Sequence, residues 1–171
     1  EVRTIQLSKA RLKPGQTVYD IGCGSGSISV EAAFQIESNG KVLAIDYDEN
    51  AVELTKKNLK KFNLSNVSVI LGNAKEKISD LESADVIFIG GTGGDTAEIV
   101  KLSENKLKSS GRIVIGIILI ETLYSVLQIL DKLKFDSIDI TQVTISKSRK
   151  TTTGTMMLAR NPVTIISATK I

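Results

Sequence analysis

The sequence has no histidine, no tryptophan and a single cysteine, and these absences remove whole classes of chemistry. Without histidine there is no histidine general base, no Ser-His-Asp triad and no histidine-ligated metal, so no metal site is expected. A lone Cys23 cannot form an intramolecular disulfide and suits a reducing cytoplasm. No apolar run approaches the ~20 residues that cross a bilayer. The longest spans Ile113 to Ile120, and no membrane partner is expected. No secretory signal is read at the start, and the abrupt, charged beginning at Glu1 reads as leaving residues upstream. An excess of charge is missing too: 22 basic against 19 acidic side chains leave a net charge of +3. That is too little for a nucleic-acid footprint without a clustered patch, and nucleic acid is not expected as a partner.

What remains is the composition of a soluble globular protein, with 42% hydrophobic and 24% charged residues in a length that fits one domain over residues 1–171. Val- and Ile-rich segments alternate with helix-period segments, the pattern of βαβ units in a mostly parallel sheet. A leading helix over Glu1 to Lys13 is expected to stop at Pro14-Gly15. Strands are read at Thr17 to Ile21, Lys41 to Asp46, Val67 to Leu71, Ala84 to Gly90 and Arg112 to Ile118. Helices are read at Ile28 to Glu37, Glu49 to Phe62, Ile99 to Lys108 (closed by Ser109-Ser110-Gly111) and Glu121 to Leu133. Within Glu49 to Phe62, Val52, Leu59 and Phe62 mark the buried side, and Lys56, Lys57, Lys60 and Lys61 the solvent side. Ser137 to Lys147 and Val163 to Ala168 follow with no helix between them, and are expected to form an antiparallel pair at one edge. The fold class is a Rossmann-like, doubly wound α/β sheet of seven strands.

The central motif is Asp20-Ile21-Gly22-Cys23-Gly24-Ser25-Gly26, a buried strand running into alternate glycines and at once into a helix. Bare backbone permits close approach of a ligand, and amides at a helix start receive a polar or anionic group. A dinucleotide fingerprint needs G-x-G-x-x-G. Here the spacing is G-x-G-x-G, with Ser27 where the third glycine would stand, which favours S-adenosylmethionine as cofactor and S-adenosylhomocysteine as its product. Asp20 is read as helping to hold the loop near the donor's methionine end. Asp46, at the end of the second strand, can accept from both ribose hydroxyls. Its competing role is a helix cap, for which Asp48 is better placed. Asn73, followed by Ala74 after the third strand, offers a donor and an acceptor to an amino-purine edge, or else a plain Asn turn. A purely structural turn is the competing reading of the glycine loop taken by itself. The cofactor site is thus read as Asp20, Gly22, Cys23, Gly24, Ser25, Gly26, Asp46, Asn73 and Ala74. Cys23 is read as a small packed residue and not a nucleophile.

The fourth strand runs into Gly90-Gly91-Thr92-Gly93-Gly94, where this fold presents its acceptor. The loop lacks the proline and aromatic residues of amino-group methyltransferases, and Asn161-Pro162 lies on the last hairpin, in the wrong place. Four glycines in five residues leave a flat floor suited to a large planar substrate, or else a flexible connector.

With these residues in view, the sequence resembles the decarboxylating cobalt-precorrin-6B C(15)-methyltransferases of cobalamin biosynthesis, over nearly the whole chain. The resemblance includes Glu1-Val2-Arg3, Leu7-Ser8-Lys9 and Asp20 to Ser27. It continues in the Ile89-Gly90-Gly91-x-Gly93-Gly94 loop, Ser146-Lys147-Ser148-Arg149-Lys150, and Asn161-Pro162-Val163. Relatives carry a Pro-Met-Thr-Lys-like stretch before the position of Glu1, and Ser and Asn in place of Thr92 and Asp95. The resemblance implies methylation of a ring carbon with loss of carbon dioxide from a ring acetate, on a macrocycle fringed with carboxylates. It places the substrate at Gly90, Gly91, Gly93 and Gly94, and makes Lys147, Arg149 and Lys150 candidate partners for the carboxylates, with Arg3, Lys9 and Arg11 beside them. A solvated basic edge is the competing reading for each of these cations. The catalytic residues are left unknown, because transfer to an electron-rich carbon needs alignment more than acid or base help. A homo-oligomer, a tetramer in the resembled family, is expected. The rival readings are an RNA ring-nitrogen methyltransferase of the same fold and a non-catalytic module that keeps the donor pocket.

Overall fold

The computed structural model describes residues 1–171. Helix α1 (Val2–Ala10) ends where Arg11 turns left-handed, φ 53, ahead of Pro14-Gly15. Then come β1 (Thr17–Ile21), α2 (Ser27–Gln35), β2 (Lys41–Asp46), α3 (Glu49–Lys61) and β3 (Val67–Leu71). A single turn α4 (Ala74–Lys77) and a 3-10 turn (Ile78–Asp80) lead to β4 (Ala84–Ile89), α5 (Thr96–Lys106), β5 (Leu107–Ile117) and α6 (Ile120–Leu130). Four strands close the chain: β6 (Phe135–Val143), β7 (Ser146–Lys150), β8 (Thr155–Ala159) and β9 (Val163–Lys170).

Seven strands make one sheet in the order β3-β2-β1-β4-β5-β9-β6. The first five are parallel, and β9 runs antiparallel between β5 and the edge strand β6. This is the doubly wound sheet the alternating pattern predicts, with β9 inside and β6 outside. Strand order reverses between β1 and β4, and the carboxyl end of such a reversal is where open α/β sheets bind ligands. No helix is long and apolar enough to cross a membrane.

Successive strand residues face opposite sides of the sheet. Tyr19, Ile21, Ile45, Ile87, Ile89 and Ile115 join Ile99 of α5 and Val126 and Leu130 of α6 in one core. Val18, Val42, Phe88 and Val114 face the other way and meet Leu7 of α1 with Ala33 and Ile36 of α2 or its cap. The same parity puts Asp20 with Val18, and Asp46 with Val42, on the α2 side. Asp20 thereby reaches the first turn of α2, and Asp46 the loop that precedes it.

Local expectations fail in three places. Phe62 caps α3 at 46% exposure and meets Phe34 edge-on, with ring centroids 6.1 Å apart, instead of entering the core. Ser109-Ser110-Gly111 lie inside β5, whose Leu107 already pairs with Ala84 before the register shifts. The single strand expected over Ser137 to Lys147 is two: β6 stays in the main sheet, while β7 pairs with β8 as a separate hairpin. Every residue of β7 and β8 is exposed, so no alternation of burial marks them in the sequence. Lys56, Lys57, Lys60 and Lys61 face solvent as the helical period requires.

Candidate functional site

The loop from Gly22 to Gly26 crosses the carboxyl end of the sheet and is pinned from both sides. The amides of Gly22 and Cys23 donate to the Ile45 carbonyl of β2 at 2.8 and 3.1 Å. The Gly90 amide donates to the Ile21 carbonyl at 2.8 Å, drawing the loop after β4 against the loop after β1. The two glycine loops meet backbone to backbone: a Cβ on Gly22 would lie 2.5 Å from the Gly91 oxygen. Gly22 also sits at φ +72, where a side chain is strained. Gly26, at φ 71, caps α2.

Asp46 is buried to 8% exposure. One carboxylate oxygen accepts from the Gly24 amide at 2.8 Å and the other from the Asp48 amide at 3.1 Å. A carboxylate offers about four lone-pair sites, so acceptor capacity remains for a ligand diol. Asp48 performs the helix-cap role, accepting from the Asn50 amide at 2.9 Å. Asp20 does not line the cleft. It lies beneath the loop, where one oxygen accepts from the Ser29 amide at 3.0 Å and the Ser29 hydroxyl at 2.5 Å, fastening the first turn of α2. Burial pushes the Asp20 carboxyl up to about 6, with Asp46 adding to the rise and the Ser29 bonds opposing it.

Cys23 is also below the loop, its sulfur 3.6 Å from the Thr55 hydroxyl. Burial, reinforced by Asp20, pushes its thiol up to about 12, which disables it as a nucleophile. Ser25 is exposed, and its carbonyl accepts from the Asn58 side chain at 2.8 Å. The Asn73 side-chain oxygen accepts from the Lys75 amide at 3.0 Å and caps α4. That cap uses one of the two lone pairs on the oxygen, so Asn73 can still offer a ligand its side-chain NH2 and one acceptor site.

Two clefts open here. The first, of about 250 Å³, brings together Gly22, Asp46, Asn73, Ala74, Gly91 and Gly93. Tyr47, Thr92, Asp95 and Ile99 also line it, unforeseen from the sequence. Tyr47 had one signal, its place directly after Asp46. Across the rim the Lys75 ammonium meets Asp95 at 3.0 Å and Glu98 at 3.3 Å, joining the segment after β3 to the segment after β4. The second cleft, of about 490 Å³, contains Gly90, Gly91, Gly93 and Gly94 together, and shares Gly91-Thr92-Gly93 with the first. Its walls include Gln6, Thr122, Ile117 to Leu119 and Val163, and no charged side chain.

The cations expected at the substrate stand outside this second cleft. Lys147 is on β7 and pairs with Glu1 at 2.8 Å, one residue from Val2 on the cleft wall. Arg149 and Lys150 lie further along the exposed hairpin. Arg3 pairs with Glu31 at 3.2 Å, and Lys9 pairs with Asp139. Arg11 lies at the far end of α1, beside Lys13 and Arg112.

A family model described as a precorrin methyltransferase domain matches residues 1–170. A protein of Saccharolobus solfataricus named probable cobalt-precorrin-6B C(15)-methyltransferase (decarboxylating) is 45% identical over 172 residues, covering 99% of this chain and 86% of its own. The crystal structure of precorrin-6y C5,15-methyltransferase from Geobacter metallireducens superposes with a TM-score of 0.90 at 35% identity, over 99% of this chain and 88% of that one. That of precorrin 8w decarboxylase from Methanobacterium thermoautotrophicum gives 0.89 at 34% identity, over 99% and 89%.

Proposed function

The chain belongs to the precorrin methyltransferase family, and from that premise we propose that it methylates a ring carbon of a cobalt-precorrin-6B-type macrocycle, with loss of carbon dioxide from a ring acetate, in cobalamin biosynthesis. The methyl donor is S-adenosylmethionine. One observation carries the reading: a cleft lined by Gly22, Asp46 and Asn73 and a larger, uncharged cleft share the wall Gly91-Thr92-Gly93.

The donor set suits an adenosyl amino acid. Asp46 retains acceptor sites for the ribose diol, the Asn73 NH2 faces the purine edge, and Gly22 and Gly91 leave no side chain at the reacting end. When bound, the donor supplies a sulfonium-borne methyl group that transfers to an electron-rich carbon without acid or base assistance. The work left to the chain is alignment and exclusion of water. Holding two reactants in register accounts for roughly 7–11 kcal/mol of barrier lowering. Ile117, Ile118 and Leu119 present apolar surface to a macrocycle face, while the bare backbone of Gly90 to Gly94 lets its edge approach the shared wall. The conjugated macrocycle takes up the electron pair released as carbon dioxide leaves, the former acetate methylene gains a proton and the methylated ring carbon sheds one, so the exchange needs no net base in the cleft.

Transfer to RNA is not favoured, since the acceptor cleft has neither Lys nor Arg on its walls. Lys147, with Arg149 and Lys150 beyond it, is assigned to carboxylates that project past the cleft mouth. The chain assembles as a homotetramer in this reading, supported by exposed Met156, Met157 and Leu158 on the hairpin and Ile120 and Tyr124 on α6. Its single free thiol suits the cytoplasm, where we place the reaction.

The test is anaerobic incubation with S-adenosylmethionine and cobalt-precorrin-6B, followed by mass spectrometry. A product with one added methyl and one lost carbon dioxide is expected. Unchanged macrocycle, or methylation of a tRNA offered in parallel, would refute the reading.

A further inference from the structure

The acceptor cleft contains a buried polar group that nothing in the fold requires. Gln6 lies on the inner side of α1 with Leu7 and Ala10, at 8% exposure. Its amide nitrogen rests against the backbone of Gly116, where a Cβ would stand 2.6 Å from it. Gly116 thus provides the space the amide occupies, and both residues line the cleft. No side-chain hydrogen bond of the chain involves this amide. The one side-chain polar atom sealed from the surface without a partner is the Ser103 hydroxyl, so the Gln6 amide keeps its opening to the cleft.

A mostly buried amide with no protein partner depends on solvent or a ligand in the cleft for its hydrogen bonds, and an apolar residue of the same size would serve the packing without that dependence. The group is useful when a ligand supplies the missing partner. Among the polar side chains of the cleft, Thr92 and Thr96 share one hydrogen bond at 2.6 Å, which leaves one of their two hydroxyl protons, the Thr122 hydroxyl and the Gln6 amide to meet a ligand. Of these, Gln6 alone combines deep burial with two N–H donors on one nitrogen.

We propose that Gln6 is a substrate-positioning residue: its side-chain NH2 donates to a carboxylate oxygen at the macrocycle's edge and fixes which edge lies over Gly91. The inference rests on the function proposed above, because it needs a substrate that carries carboxylates. A neutral donor suits this place. It orients a carboxylate in an uncharged cleft without the tight ion pair that an arginine would form.

The experiment is absorbance titration of cobalt-precorrin-6B into the full chain saturated with S-adenosylhomocysteine, for wild type, Gln6→Leu and Gln6→Glu. Calorimetric titration of S-adenosylhomocysteine and thermal melting serve as controls. Gln6→Leu is expected to raise the macrocycle Kd about 10- to 100-fold, the loss of one hydrogen bond to a charged group, with donor affinity unchanged. Gln6→Glu is expected to bind the macrocycle weakly at about pH 8 and to regain affinity as the pH falls toward about 5, where the protonated acid becomes a donor. A merely structural role would not produce that pH dependence. Wild-type affinity in Gln6→Leu, or Gln6→Glu binding as tightly at about pH 8 as at about pH 5, overturns the proposal. If the wild type binds S-adenosylhomocysteine but not the macrocycle, the substrate assignment falls and this inference with it.

Discussion

Replacing Gly22 by alanine tests whether the two glycine loops are a fitted pair or merely adjacent. The new Cβ would lie 2.5 Å from the Gly91 oxygen, 3.0 Å from its nitrogen and 3.1 Å from its carbonyl carbon, all backbone atoms. Ordinary C···O approaches are no closer than about 3.3 Å, so the loops must separate by several tenths of an ångström. No rotamer change relieves a backbone clash. The hydrogen bonds Gly22–Ile45 and Gly90–Ile21, both 2.8 Å, oppose the separation. The left-handed conformation adds about 1–2 kcal/mol for a non-glycine residue, and overpacking adds about 1–3 kcal/mol. Together these give about 2–5 kcal/mol, or a fall in Tm of about 4–20 °C for a chain of this size. Gly24→Ala is the internal control, because φ is +56 there yet nothing lies within 4 Å of the added Cβ. It incurs the backbone cost alone, about 1–2 kcal/mol. Gly22→Ala should also weaken S-adenosylhomocysteine binding, since Gly22 and Gly91 both line the donor cleft. The assays are thermal melting and isothermal titration. If Gly22→Ala melts within a degree or so of Gly24→Ala and binds the product normally, the fitted-loop argument is wrong.

Asp20→Asn should change the pH dependence of stability. A folded-state value raised from 3.8 to about 6 means the protonated acid is favoured in the fold. The associated stability, about 3 kcal/mol, is present below about pH 4 and lost as pH rises through about 6. The Asn variant, which still accepts from Ser29, should lack that fall in denaturant titrations. Parallel curves for the two proteins would contradict it. Native Cys23 should resist thiol reagents and react only on unfolding, and prompt stoichiometric labelling of the folded chain would refute its burial. Asp46→Ala removes the acceptor for the Gly24 and Asp48 amides as well as the proposed ribose contact. A loss of S-adenosylhomocysteine affinity of about 10- to 100-fold is expected, and calorimetry showing none would remove Asp46 from the site.

The parallel half of the sheet was legible because its strands are apolar and bounded by turns, buried in β1 and β2 and half-buried in the edge strand β3. β1, β2 and β3 begin and end where composition and punctuation place them. Elements without burial left no such trace. α4, four residues long, is too short for a helical period, and the β7–β8 hairpin has no buried face. Of the residues read as the cofactor site, Gly22, Asp46, Asn73 and Ala74 come together in one cleft, while Gly24 and Gly26 do not line it. Asp20, read as helping to hold the loop, does so from beneath: parity along β1 turns it toward Ser29, away from the cleft lining. Tyr47 and Gln6 escaped because a tyrosine after a strand and a glutamine in a helix carry no pattern of their own. Only the approach of α1 to β5 gives Gln6 its place beside Gly116. The basic residues were legible as residues but not in their place: Lys147, Arg149 and Lys150 sit on an exposed hairpin, and none of them lines the larger cleft.

The most direct measurement of the central claim is the electron density of S-adenosylhomocysteine in crystals of the wild-type chain. The ribose diol is expected on the Asp46 carboxylate, the adenine beside Asn73, and the sulfur at the Gly91–Gly93 wall between the two clefts. Density with the sugar away from Asp46, or no density in that cleft at saturating ligand, would contradict it.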